Sequence, residues 1–182
     1  MTLNDGIACR IIVAARCSIE LKAYTSYDGG CVYPKVGYIK LNGIAVWSAS
    51  WCGRYPNLRG VSILLIDPFN CSVQESRHFD THARINHAAT QLSNYLLLLN
   101  HGSITVGVTG DEPRWHLDNA LPTLRQLGVE VGDVLSRGSF GFIVEKGFPR
   151  KTVLRKVLTQ RESSIHPAHF RATIAGWLNT VL

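Results

Sequence analysis

Three features of the sequence predict a mixed α+β fold with two main helices, at about 82–100 and 118–128. Short β-rich runs with turn residues between them fill the front of the chain. Two stretches carry apolar residues at helical spacing, and further apolar runs of strand length follow each of them. At 182 residues, 46% hydrophobic and 18% charged, the chain has enough apolar surface for one core and reads as a single domain over 1–182.

Strands are predicted at Arg10–Ala15, Ser18–Tyr24, Gly37–Leu41 and Ile44–Ser48. Asn42-Gly43 lies between the last two and supplies the two positive-φ positions of a type I′ hairpin turn, so this front part is mostly antiparallel. A loop follows at Cys52–Leu58. Val61–Ile66 is then apolar but for Ser62, the mark of a central strand buried on both faces. Asp67-Pro68-Phe69-Asn70 turns the chain, and Ser72–Phe79 returns beside that strand.

The first helix is expected to be capped by Asp80 or Thr81. Ile85, Ala88, Leu92, Leu96 and Leu99 form its inward stripe, and Asn100-His101-Gly102 ends it. Ile104–Val108 reads as the next strand and Asp111–Leu117 as an ordered loop. Pro122 restricts the second helix to a start near Asp118; Leu121, Leu124 and Leu127 form its core side and Gly128 its stop. Strands at Val131–Leu135, Phe140–Lys146, Lys151–Leu158 and Phe170–Leu178 complete the chain, with a hairpin-like Arg137-Gly138-Ser139-Phe140.

The net charge of +6 and pI near 9.2 favour acidic partners in general. The cations are dispersed, however. Only Arg150, Lys151, Arg155, Lys156 and Arg161 form a dense patch, and their alternation with Val153, Leu154, Val157 and Leu158 reads as a solvated strand face. No nucleic-acid-binding spacing accompanies it, so no nucleic-acid partner is expected. Leu96–Leu99 is too short to span a bilayer, and no membrane insertion is expected.

Cys9, Cys17, Cys31, Cys52 and Cys71 show no C-x-x-C spacing, which argues against zinc. In an oxidising compartment an odd number leaves one thiol able to join two chains. Reduced core cysteines are the other reading, and the pairing stays open. Met1-Thr2-Leu3-Asn4-Asp5-Gly6 has no basic, apolar leader pattern, so a signal peptide is either removed or absent. Asn70-Cys71-Ser72 matches a glycosylation acceptor.

The segment Asp111-Glu112-Pro113-Arg114-Trp115-His116 is the first candidate site. Carboxylates accept from sugar hydroxyls, arginine donates to them, and an indole or imidazole offers a flat face to C–H groups. A purely local role, with Asp111 and Glu112 capping a turn and Trp115 in the core, competes with this. Asp111, Glu112 and Asp118, with Glu75 and Asp80 as helpers, are the carboxylates available to a calcium ion that assists binding. His78, His82 and His87 lack the spacing of a zinc helix and read as structural or surface residues. Trp47 and Trp51 suit either the core or an oligomer contact. No nucleophile elbow, zincin, P-loop or dinucleotide motif is present, and adjacent acids seldom straddle a scissile bond, so no enzymatic activity is expected.

Arg59-Gly60-Val61-Ser62-Ile63, Arg77-His78-Phe79-Asp80-Thr81, Val108-Thr109-Gly110-Asp111-Glu112, Leu127-Gly128 and Arg137-Gly138-Ser139-Phe140-Gly141-Phe142-Ile143 with Lys146-Gly147 occur in an order that resembles the ILEI/PANDER (GG domain) family. The resemblance covers about 37–147, with β strands before it at 10–36 and after it at 150–180. It implies antiparallel or mixed sheets packed face to face and flanked by the two helices. It also implies a secreted, extracellular, disulfide-containing protein and a site where Arg59 and Arg137 approach Asp111, as in the family's sugar-binding stem domain. The function it implies is that of a lectin for glycans or glycoproteins, directed at terminal galactose-type sugars and made bivalent as a homodimer that a disulfide can link. The alternative within the family is a cytokine-like ligand for a protein receptor. The cysteine positions and the extension after Gly147 depart from the cytokine-like members, whose disulfide pattern therefore does not carry over.

Overall fold

A computed structural model describes residues 17–23, 35–51, 58–83, 87–148, 151–159 and 168–174. Within them the chain runs β1 (Ser18–Lys22), β2 (Lys35–Leu41), β3 (Ile44–Trp51), β4 (Gly60–Asp67), β5 (Ser72–Phe79), α1 (Ala88–Leu98), β6 (Ile104–Gly110), a 3-10 turn (Asp118–Ala120), α2 (Leu121–Gln126), β7 (Ser139–Glu145), β8 (Val153–Val157) and β9 (His169–Thr173). The strand expected at Arg10–Ala15 lies outside the described residues, as do Cys9, Cys31 and Cys52.

The strands form a four-stranded sheet in the order β3-β2-β1-β9 and a five-stranded sheet in the order β5-β4-β6-β7-β8. Every described pairing is antiparallel. Asn42 and Gly43 adopt φ of 49° and 85°, the left-handed pair that the β2–β3 hairpin requires.

The central strands β4, β6 and β7 are covered on both faces, which explains why nearly every residue in them is buried. Leu64, Ile66, Ile104, Val106, Val108 and Ile143 face the four-stranded sheet and meet Ile19, Leu21, Ile39 and Leu41. Val61, Ile63, Phe140, Phe142 and Val144 point the other way, against Leu92 and Leu96 of α1 and Leu124 of α2. Two glycines make room for neighbouring side chains, Gly141 for one from the four-stranded sheet and Gly107 for one from its own sheet. A Cβ on Gly141 would lie 2.2 Å from Leu21 Cδ1, and one on Gly107 would lie 2.2 Å from the Phe142 ring.

Two expectations need correction. The first helix begins at Ala88 and not near 82, with His87 at its N-cap in a left-handed conformation (φ 48°) and no capping side chain. Asp80 instead accepts hydrogen bonds from the amides of His82 (3.2 Å) and Ala83 (3.1 Å), while the Thr81 hydroxyl donates to Pro113 O (2.7 Å). Both potential caps are thus committed to a turn. Val131–Leu135 is no strand either. Gly132 and Asp133 turn the chain, the Val134 amide returns to Val131 O (3.1 Å), and both valines plug the helical side of the core.

The second helical segment starts at Asp118 as expected and stops at Gly128 (φ 80°). Of the basic patch, Lys151 pairs with Glu145 and Lys156 with Asp133, on and beside the edge strand β8, while Arg155 is exposed.

Candidate functional site: one edge of the five-stranded sheet

β4 begins, β5 ends, β6 ends and β7 begins at one edge of the five-stranded sheet, where Gly60 is the register partner of Gly110 and Val61 that of Phe79. Four connections therefore meet there: Arg59, the turn 80–83, the loop 111–117 and the turn 135–138. The rule that ligands sit beyond the carboxyl ends of parallel strands does not carry over to this antiparallel sheet, whose edge mixes strand beginnings and ends. Candidate residues gather here because β4 and β7 enter the sheet, and β5 and β6 leave it, at this edge.

The edge is built from backbone-holding polar contacts. Arg59 clasps Asp80, its Nε lying 3.1 Å from each carboxylate oxygen and its Nη2 3.0 Å from Oδ2. Glu112, only 2% exposed, accepts from the Arg114 amide (2.9 Å) with one oxygen, and from the Ser136 hydroxyl (2.6 Å) and Arg137 amide (2.7 Å) with the other. It caps its own turn and ties the 135–138 turn to the 111–117 loop. The local reading of Glu112 describes this geometry. Asp111 is buried as well and sits at φ 52°, and Arg137 at φ 56° is half-buried. The His116 amide donates to Thr81 O (3.0 Å), which closes the ring of contacts from Thr81 through Pro113 to His116.

The aromatic part of the segment differs from a core. Trp115 is 61% exposed. His82 meets it edge-on at 5.1 Å between ring centroids, and His116 lies nearly parallel to it, 27° apart at 6.1 Å. Two hollows adjoin this row. One, of about 340 Å³, is lined by Arg114, Trp115 and Ser136. The other, of about 210 Å³, is lined by His116, Asp118, Asn119, Thr81 and His87 over a floor of Ala83, Ala88 and Ala89. Arg114 pairs with Asp118 (2.7 Å) and so runs from the first hollow to the second.

All six residues expected to bind sugar, Arg59, Asp111, Glu112, Trp115, His116 and Arg137, thus stand on or beside this edge. Their roles divide, because Glu112 and the Arg59–Asp80 pair hold the backbone while Trp115 and His116 face outward. His82, Ser136 and Asn119 are additional neighbours. Their signal lay in position: each flanks a strand end or helix start at the same edge. His78, by contrast, lies on β5 with its Nδ1 3.1 Å from Ser62 Oγ, and desolvation lowers its pKa.

Most of the carboxylates expected to assist a calcium ion are held by protein partners. Among the described residues no group of three or more His, Cys, Asp or Glu side chains is gathered to hold a metal ion. Glu112 is engaged by three protein donors and Asp118 by Arg114. Of the helpers, Glu75 holds Arg77 and Tyr95, and Asp80 holds Arg59.

A layered sandwich of two antiparallel sheets with helices on one face is the class that this architecture defines. The family model described as Interleukin-like EMT inducer matches residues 59–148, and through this segment the chain belongs to the ILEI/PANDER family. The match takes in β4 to β7 and both helices. No curated protein matches the chain.

Proposed function

We propose that this protein is a secreted carbohydrate-binding protein whose ligand stacks on Trp115, with galactose-type terminal sugars as the first candidates. The observation that carries the reading is the Trp115 indole, 61% exposed and braced by His82 and His116, with one hollow against the indole and another against His116. An exposed indole beside hydrogen-bonding groups suits a pyranose, which has one apolar C–H face and a rim of hydroxyls. Arg59, Asp111 and Arg137 supply further polar groups along the edge. The Cys17–Cys71 disulfide supports an oxidising, extracellular setting.

The reading is of binding without catalysis. Glu112, one of the two adjacent acids, spends both oxygens on the protein, which leaves no acid–base pair in the segment. A homodimer would make the protein bivalent, since linking two sites raises the effective concentration of the second. Calcium-assisted binding at Asp111, Glu112 and Asp118 would require releasing Glu112 from Ser136 and Arg137, so a chelator is one arm of the test.

Glycan-array binding of the purified protein, with calcium and with chelator, tests the proposal alongside Trp115→Ala. Binding by the parent and a loss of at least roughly tenfold in the variant, about 1.4 kcal/mol, are expected, with an unchanged melting temperature. Binding that ignores the substitution would remove Trp115 from the site. A folded parent that binds no glycan would favour the alternative, a signalling ligand for a protein receptor.

A further inference from the structure

We infer that the site takes an extended glycan and not a single terminal sugar, with a second ring seated in the hollow formed by His116, Asp118, Asn119 and His87. This inference rests on the carbohydrate reading above and adds a subsite to it. Two hollows flank the Trp115–His116 row, and each has room for about one sugar ring at about 340 and 210 Å³. Their chemistry differs. The larger has Trp115 as one wall, with the Arg114 guanidinium and the Ser136 hydroxyl as its polar lining, which suits a ring presenting a C–H face. The smaller has an alanine floor formed by Ala83, Ala88 and Ala89, and polar walls.

Those walls supply both senses of hydrogen bond that vicinal hydroxyls need. The Asp118 carboxylate accepts, and its side chain stays 70% exposed despite the contact with Arg114. The Asn119 amide donates and accepts, touching Thr90 Oγ1 only at 3.3 Å. His116 and His87 each add a ring nitrogen. His116 belongs to both features, lining the smaller hollow while its ring stacks on Trp115, so a ligand on the indole continues directly into that hollow. The small alanine side chains matter because any larger residue at 83, 88 or 89 would fill the space a ring needs.

Calorimetric titration with galactose and β-1,4-galactobiose, and in parallel with N-acetylglucosamine and chitobiose, tests this on the parent, Asn119→Ala and Asn119→Leu. The expected result is that one disaccharide binds at least about tenfold tighter than its monosaccharide. Each substitution should then remove most of that gain while leaving monosaccharide affinity and the melting temperature unchanged. Equal affinity for a monosaccharide and its dimer overturns the second subsite while the carbohydrate reading survives. So does a monosaccharide affinity that falls with Asn119→Ala as much as the disaccharide's does, since the single ring would then occupy this hollow alone. Folded protein that binds none of the four probes overturns it too, and if the glycan array is also silent the carbohydrate reading fails with it.

Discussion

Gly60 sits at φ 103°, and a Cβ there would lie 2.3 Å from Phe79 O and 2.7 Å from Thr81 N. The Arg-Gly and Phe-Asp-Thr pieces of the family pattern are therefore two halves of one contact. Gly60 lets β4 start against the end of β5, and the Arg59–Asp80 pair then locks the turn beyond it. Gly60→Ala forces both a left-handed alanine and a backbone clash, so a loss of roughly 3 kcal/mol is expected in chemical denaturation. Glu112→Gln gives a second test at this scale. Its amide nitrogen cannot accept from the Ser136 hydroxyl, the Arg137 amide or the Arg114 amide, whichever way the group is turned. The variant should lose about 1–3 kcal/mol of stability. An unchanged melting temperature would return Glu112 to the list of ligand contacts. Carboxylates and arginines suit sugars, but a carboxylate equally suits exposed backbone amides, and an arginine the carboxylate that holds them. Only the fold shows which demand each one meets.

At the scale of elements, legibility followed how local the determining interaction is. The β2–β3 hairpin was readable because Asn42-Gly43 carries its own turn chemistry, β4 because it is largely apolar on both faces, and β6 because Ile104, Val106 and Val108 alternate along it. The start of α1 was not, because Asp80 and Thr81 cap helices well in isolation yet here answer to His82, Ala83 and Pro113, the last of these 32 residues from Thr81. The four-stranded sheet holds together on its outer face in a similarly non-local way. Glu20 of β1 accepts from Tyr38 of β2 (2.6 Å) and pairs with Arg171 of β9, with Lys40 and His169 close by. Those donors, the Tyr38 hydroxyl first, pull the Glu20 pKa down to about 2 from its ordinary 4.5. A carboxylate more acidic in the folded state stabilises the fold above its unfolded pKa and loses that contribution as pH falls from 4.5 towards 2. His78, whose pKa desolvation lowers below 6.5, acts earlier: the unfolded chain takes up its proton first as pH drops through that value. Melting temperature should thus fall on acidification, beginning near neutrality. His78→Gln should flatten the upper part of the profile and Glu20→Gln the lower part, with Glu20→Gln also costing about 1 kcal/mol at pH 7. A profile unchanged by both substitutions would remove these two groups as its cause.

For the whole molecule, the pairing of β1 with β9, in which Ser18 faces Thr173, is closed across nearly the full chain and leaves no local trace in sequence. The same holds for the Cys17–Cys71 disulfide, which sequence left among several pairings. This bond joins the start of β1, in the four-stranded sheet, to the β4–β5 turn of the other sheet, 54 residues away. A loop of that length implies about 4 kcal/mol of stabilisation in the chain-entropy account. Its position matters as much as its size. The β4–β5 turn lies at the end of those strands opposite Gly60 and Phe79, so the bond and the edge that carries Trp115 sit at opposite ends of β4 and β5. Cys17→Ser with Cys71→Ser should therefore lower the denaturation midpoint strongly and speed amide exchange in β1, β2 and β9. Glycan binding by the fraction that stays folded should keep its affinity. Loss of affinity at a temperature where the variant is still folded would mean that the four-stranded sheet positions the 111–117 loop. A preserved affinity would locate recognition in the segment 59–148 and leave the four-stranded sheet a stabilising role.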